Sequence, residues 1–192
     1  MTIWFTSDQH FSHANILTFT RADRRNCTDE LQCDETCKAQ HPRLKVRPEF
    51  SDVTEMDEYM IAKWNSVVKP ADHVWHLGDV TMLRGGAAER VAPILDRLNG
   101  QKRLILGNHD YQSVQWYSRW FKKIRASEVK DNMLFTHYPV HPFSLGRFDA
   151  NVHGHIHNNS TYPKPYFNVS VEVLKYTPIS LEQIRQIVNG WA

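Results

Sequence analysis

At 192 residues with 41% hydrophobic and 23% charged side chains, the chain has the bulk for one domain with a substantial core and reads as an ordinary globular protein. A formal net charge of +2 is too mild a bias to argue for a nucleic-acid-binding surface, though it leaves a small anionic substrate open. No apolar run is long enough to span a bilayer, and the N-terminus lacks a secretory signal pattern, so the expected location is the cytoplasm and no membrane partner is expected.

Taken in chain order, Ile3–Ser7 is a short apolar run and reads as a strand. Residues 20 to 50 are polar, carry Arg21, Arg24, Arg25, Arg43, Lys45 and Arg47, and show no clean period. They read as an insertion over the domain surface, of the length used for functional lids or disordered segments. Thr54-Glu55-Met56-Asp57 resembles a capping box, and Met56, Tyr59, Met60, Trp64, Val67 and Val68 then recur at helical spacing until Pro70. His73–Leu77 is the next strand. A second helix is predicted over Ala87 to Leu98, with Pro93 beginning, kinking or breaking it before Gly100. Further strands are expected at Arg103–Leu106, Met133–Thr136, Ala150–His153 and Tyr166–Val173. Ser180-Leu181-Glu182-Gln183 forms a second capping box, and Leu181, Ile184, Ile187, Val188 and Trp191 would face the core. This alternation predicts an α/β (α+β) fold, with residues 1–192 as a single domain interrupted near 20–50.

Chemistry gathers where the strands end. Asp8-Gln9-His10 follows the first strand, Gly78-Asp79 the second, Gly107-Asn108-His109-Asp110 the third, His137 the fourth and Gly154-His155-Ile156-His157 the fifth. In open α/β sheets, sites form at the carboxyl ends of strands, so neighbouring strands would bring these loops into one cleft. Residues two apart in extended chain share a side, which pairs Asp8 with His10 and His155 with His157. The glycines before Asp79, Asn108 and His155 permit sharp turns or close approach. Asp8, His10, Asp79, Asn108, His137, His155 and His157 make a mixed carboxylate, amide and imidazole set. It suits manganese, iron or zinc better than calcium. Seven donors are too many for one such ion and suit two ions sharing a bridging carboxylate.

This series of motifs resembles the calcineurin-like metallophosphoesterase superfamily, and most of all its small bacterial and phage members. The resemblance implies a four-layer αββα sandwich, two mixed sheets packed face to face between helices. It implies that Asp8, His10 and His157 hold one divalent ion, that Asn108, His137 and His155 hold a second, and that Asp79 bridges them. His109 would stand outside the ligand set beside the leaving group, with Asp110 accepting a hydrogen bond from its ring. The implied reaction is hydrolysis of a phosphate ester by a metal-activated hydroxide, with the two ions neutralising charge during in-line attack.

The chain also departs from relatives. The protein Ser/Thr phosphatases continue their second motif Gly-Asp-x-Val-Asp-Arg-Gly, whereas here it runs Gly78-Asp79-Val80-Thr81-Met82-Leu83-Arg84-Gly85. That favours small phosphomonoesters or phosphodiesters, nucleotides among them. The inserted segment holds Cys27, Cys33, Cys37 and His41. Three cysteines argue against a disulfide framework, and with His41 they would make a closed tetrahedral site for one structural zinc; the alternative is a polar loop with reduced thiols. His13, Arg47 and Arg147 are candidate substrate contacts. A metal-dependent nuclease and a non-catalytic binding module on the same fold are the competing readings. Substrate, metal identity and oligomeric state are not readable from sequence.

Overall fold

The computed structural model describes residues 1–22, 43–159 and 163–191. Cys27, Cys33, Cys37 and His41, the expected zinc set, lie outside these residues, as do Arg24 and Arg25. The chain enters through β1 (Ile3–Thr6), passes a 3-10 turn (Ala14–Leu17), and forms a short antiparallel ladder of β2 (Thr20–Ala22) with β3 (Arg43–Lys45). Helix α1 (Val53–Val67) leads to β4 (His73–His76); a 3-10 segment (Gly85–Val91) then runs into α2 (Ala92–Arg97) and β5 (Gln101–Ile105). One-turn α3 (Val114–Tyr117), β6 (Phe121–Arg125), β7 (Ser127–Lys130) and β8 (Met133–Thr136) follow. Short α4 (Pro142–Leu145), β9 (Ala150–His153), β10 (Tyr166–Asn168), β11 (Ile179–Ser180) and α5 (Leu181–Asn189) complete the order.

Two mixed sheets result. The first runs β11-β1-β4-β5-β6, parallel except for β11; the second runs β10-β9-β8-β7, parallel except for β7. Alternation along the strands sorts the core. Phe5, Trp75 and Ile105 turn toward the second sheet, where they join Met133, Phe135 and Val152; Phe5 stacks on Phe135 at 4.4 Å. Val74 and Leu104 turn the other way, onto Met56, Met60 and Trp64 of α1 and Leu95 of α2. Strands buried on both faces are typical of a parallel sheet covered by helices on one side. Leu181 and Ile184 of α5 join the inter-sheet core. The 138–149 loop carrying α4 is tied to β9 by Val140 N–H donating to Asn151 Oδ1. Among the described residues, no helix is long and apolar enough to cross a membrane.

Several local expectations change. α1 begins one residue before Thr54, because Asp52 is the cap: its carboxylate accepts from Thr54 N at 2.7 Å and Glu55 N at 2.9 Å. Asp57 is thereby released to accept from Ser12 N and Oγ. The helix expected over Ala87 to Leu98 is instead a 3-10 segment followed by α2, which Pro93 begins, one of the outcomes expected of it, since it falls in the first turn where its missing N–H costs nothing. The expected strand Tyr166–Val173 ends at Asn168, after which Ser170 bridges to Ser7 and joins the ends of the two sheets. The insertion is narrower than 20–50. Its ends pair as β2 and β3, and Arg47 and Phe50 beyond it are buried in the body of the fold.

Candidate metal centre

Each expected donor leaves a strand at the same end of the sandwich. Asp8, Asp79 and Asn108 follow β1, β4 and β5 of the first sheet, and His137, His155 and His157 follow β8 and β9 of the second. They collect in two groups. The ligand atoms of Asp8, His10 and His157 lie within 4.8 Å of one another, and so do those of Asp79, His137 and His155. Asn108 Oδ1 joins the second group, 2.8 Å from His137 Nε2 and 3.0 Å from His155 Nδ1. Asp79 Oδ2 stands between the groups, 3.5 Å from His137 Nε2 and 3.7 Å from His10 Nε2.

The donor pairs do not share a side through extended chain, as the spacing suggested. Asp8, His10, Asp79, His155 and His157 all have φ between 50° and 71°, in the left-handed region that non-glycine residues rarely occupy. Such conformations cost about 1–3 kcal/mol each and persist where surrounding structure holds them. Here the holding groups are visible. Asp8 N donates to Gly78 O and His10 N to Asp79 O, so the first two loops brace each other. The Asp8 carboxylate also accepts from His155 N and from the hydroxyls of Ser7 and Ser170. Glycine is needed here for close approach: a Cβ on Gly107 would overlap the Asp79 carboxylate, and one on Gly154 would overlap Ser7 and Asp8.

The electrostatics follow from burial and from these contacts. Burial, then the neighbouring His157 and Arg47, holds the His10 imidazole well below its ordinary pKa. Both His10 ring nitrogens are buried without a hydrogen-bond partner among the described residues. A buried polar atom is costly unless paired, so this neutral ring, with lone-pair capacity facing carboxylates, fits a divalent cation. Burial works against a charged His137, but its bond to Asp79 and the charges of Asp8 and Asp79 outweigh that and lift it to about 9. The Asp79 carboxyl is opposed by burial but held below the usual range by His137 and His109. His137 Nδ1 faces Leu77 O at 2.8 Å and must donate to it, which leaves Nε2 for the site. The divalent ions that the resemblance implies would find donors of suitable chemistry here, two carboxylates, one amide and four imidazoles, with no thiolate.

Other expectations are corrected. Asp110 does not meet the His109 ring. Its carboxylate accepts from Gly107 N, Asp79 N, Val80 N and Tyr117 Oη, so it shapes the Asp79 turn. The His109 ring pairs instead with Tyr111 Oη at 2.8 Å, and Tyr111 lies under the Arg84 guanidinium at 3.9 Å. Arg47 cannot reach a substrate, because it is fully buried and bonded to Glu172, Gln9 O and Asp8 O. Arg147 is exposed, and its carbonyl accepts from Asn132, at the opposite end of β8 from His137. His13 does stand near the site, its ring 6.4 Å from that of His10. Of the other histidines, His76 and His153 are buried; burial pushes them to about 3 and about 4. Glu172, Ser170 and Tyr111 escaped the sequence reading. Glu172 left a signal, a lone carboxylate between Val171 and Val173.

The comparisons agree with this geometry. A calcineurin-like phosphoesterase profile matches residues 1–165. An uncharacterised protein of Methanocaldococcus jannaschii is 31% identical over 97% of this chain and 91% of its own. The gene 66 protein of Mycobacterium phage D29 is 24% identical over 97% of this chain and 96% of its own. In three dimensions, a protein of unknown function from Aquifex aeolicus covers 97% of this chain, with 98% of its own covered, at a TM-score of 0.65 and 22% identity, a likeness of fold. With its two mixed sheets, its helices and its paired donor clusters, the chain belongs to the calcineurin-like phosphoesterase family of metal-dependent phosphoesterases.

Proposed function

We propose that the chain hydrolyses small phosphate monoesters or diesters, nucleotides included, at a dinuclear site. The observation that carries this reading is the Asp79 carboxylate standing between two donor groups. Asp8, His10 and His157 would hold one ion, Asn108, His137 and His155 the other, and Asp79 would bridge. When bound, two divalent ions of manganese, iron or zinc supply Lewis acidity that offsets phosphoryl charge and lowers the pKa of water.

The chain's own residues do the rest. His109 N–H donates to Asp79 Oδ1 at 2.8 Å and keeps that carboxylate in place. With Nδ1 engaged by Tyr111, the His109 ring has Nε2 left for a phosphoryl or leaving-group oxygen. Proton donation of this kind contributes about 10²–10⁴-fold. Tyr138, half-exposed with its ring 4.5 Å from that of His155, offers an apolar wall to the non-phosphate part of a substrate.

The test is a panel of phosphomonoesters, phosphodiesters, cyclic nucleotides and oligonucleotides offered to manganese-reconstituted protein, beside His109→Ala and Asp79→Ala. Turnover of small esters that both variants lose is expected. Turnover of long nucleic acid alone would replace this reading with a nuclease. No turnover of any ester, with two ions bound, would replace it with a binding module.

A further inference from the structure

Arg47 is among the largest fully buried side chains described, and a buried guanidinium needs an explanation. Its Nε donates to Glu172 Oε1 at 2.9 Å, across 125 residues of sequence. Its Nη1 donates to Gln9 O at 2.8 Å and its Nη2 to Asp8 O at 2.5 Å. The same Glu172 oxygen lies 2.9 Å from His157 Nδ1. One buried ion pair therefore touches both chain segments that make up the first donor group. Its side chains are 0% and 3% exposed, so solvent does little to weaken it.

We infer that Arg47 and Glu172 are positioning residues for the first metal site, an inference that rests on the two-metal reading above. Glu172 accepts from His157 Nδ1, which fixes the ring and turns Nε2 toward Asp8 and His10. Arg47 holds Glu172 in register and locks the carbonyls of Asp8 and Gln9, between the two left-handed residues of that loop. A carboxylate behind a ligating histidine is a recurring way of orienting the ring and raising its basicity. Among the described residues the second group has no such pair: His137 is held by a backbone carbonyl, and His155 Nδ1 faces Asn108. Arg47 lies just beyond β3, so the described base of the inserted segment is tied to the first metal position.

The test is Mn²⁺ titration of the metal-free full chain by calorimetry, with Glu172→Gln beside wild type and folding checked by circular dichroism. In the variant one site should weaken about 10–100-fold while the other keeps its wild-type affinity. Two unaltered sites, or both weakened alike together with a lower melting temperature, would overturn the inference. Should the variant not fold, proton NMR of metal-free wild type decides. A slowly exchanging ring Nδ1–H signal that His157→Gln removes supports the inference, and its absence overturns it. Fewer than two Mn²⁺ sites in wild type would count against the two-metal reading itself, whereas two sites in wild type with an unaltered variant defeats the positioning role alone.

Discussion

The two donor groups use the same kinds of side chain but are supported by different physics. Around Asp8, His10 and His157 the support is ionic and long-range: a buried Arg47–Glu172 pair, with Asp57 holding the loop beyond His10 through Ser12. Around Asp79, Asn108, His137 and His155 it is mostly main-chain, through bonds that also join segments distant in sequence. Asp110 gathers three backbone N–H groups, and Leu77 O orients His137. Charge held away from water carries a desolvation cost that only its partner offsets, so losing one member is severe. A cage of backbone hydrogen bonds loses strength one bond at a time.

The largest effect should come where the two groups meet. Asp79→Ala should lower phosphoesterase turnover by about 10²–10³-fold or more. Metal content by mass spectrometry should fall below that of wild type at the same time. Wild-type turnover in that variant would break the claim that the groups act together. Next, Arg47→Met should lower the unfolding free energy by about 3–5 kcal/mol, because it removes the buried cation from Glu172 and leaves two buried carbonyls without its bonds. Asp110→Asn should cost less, about 1–3 kcal/mol. Urea denaturation of both variants tests the comparison directly: an equal or larger loss in Asp110→Asn would reverse it.

The smallest effect is a pH dependence. Burial raises the Asp57 carboxyl to about 6, against the opposing bonds from Ser12. Its folded pKa thus lies above the unfolded value of about 3.9, so the folded state holds the proton more tightly. The stability this contributes is full below the unfolded pKa and is lost as pH rises through 6. Between pH 5 and pH 7, wild type should lose about 1 kcal/mol more stability than Asp57→Asn. Denaturation curves at the two pH values measure this, and parallel losses would refute it.

Much of the arrangement is legible in the sequence. Apolar runs bounded by Gly, Asn and Asp located β1, β4, β5, β8 and β9, because buried parallel strands read as near-continuous hydrophobic segments. Donors placed just after such strands must meet once the strands are neighbours. The β6 and β7 strands were missed, since Phe121-Lys122-Lys123-Ile124-Arg125 and Ser127–Lys130 are polar where they face solvent. Arg47 as a substrate contact is overturned for a different reason. An arginine in a polar stretch reads as exposed, and nothing local indicates a carboxylate 125 residues away.

The set of candidate donors at strand ends is a property of residue type and spacing alone: seven of them, in order, of a chemistry that would suit two cations. Tertiary structure decided how they are shared and held. It placed Asp79 between the groups, put five donors into left-handed backbone, gave Asp110 to the main chain rather than to His109, and made Arg47 a strut instead of a substrate contact. The reason is one of range. Spacing along a strand and hydrophobic period are local properties, whereas left-handed conformations and buried ion pairs become favourable only when distant segments supply the hydrogen bonds that offset their cost.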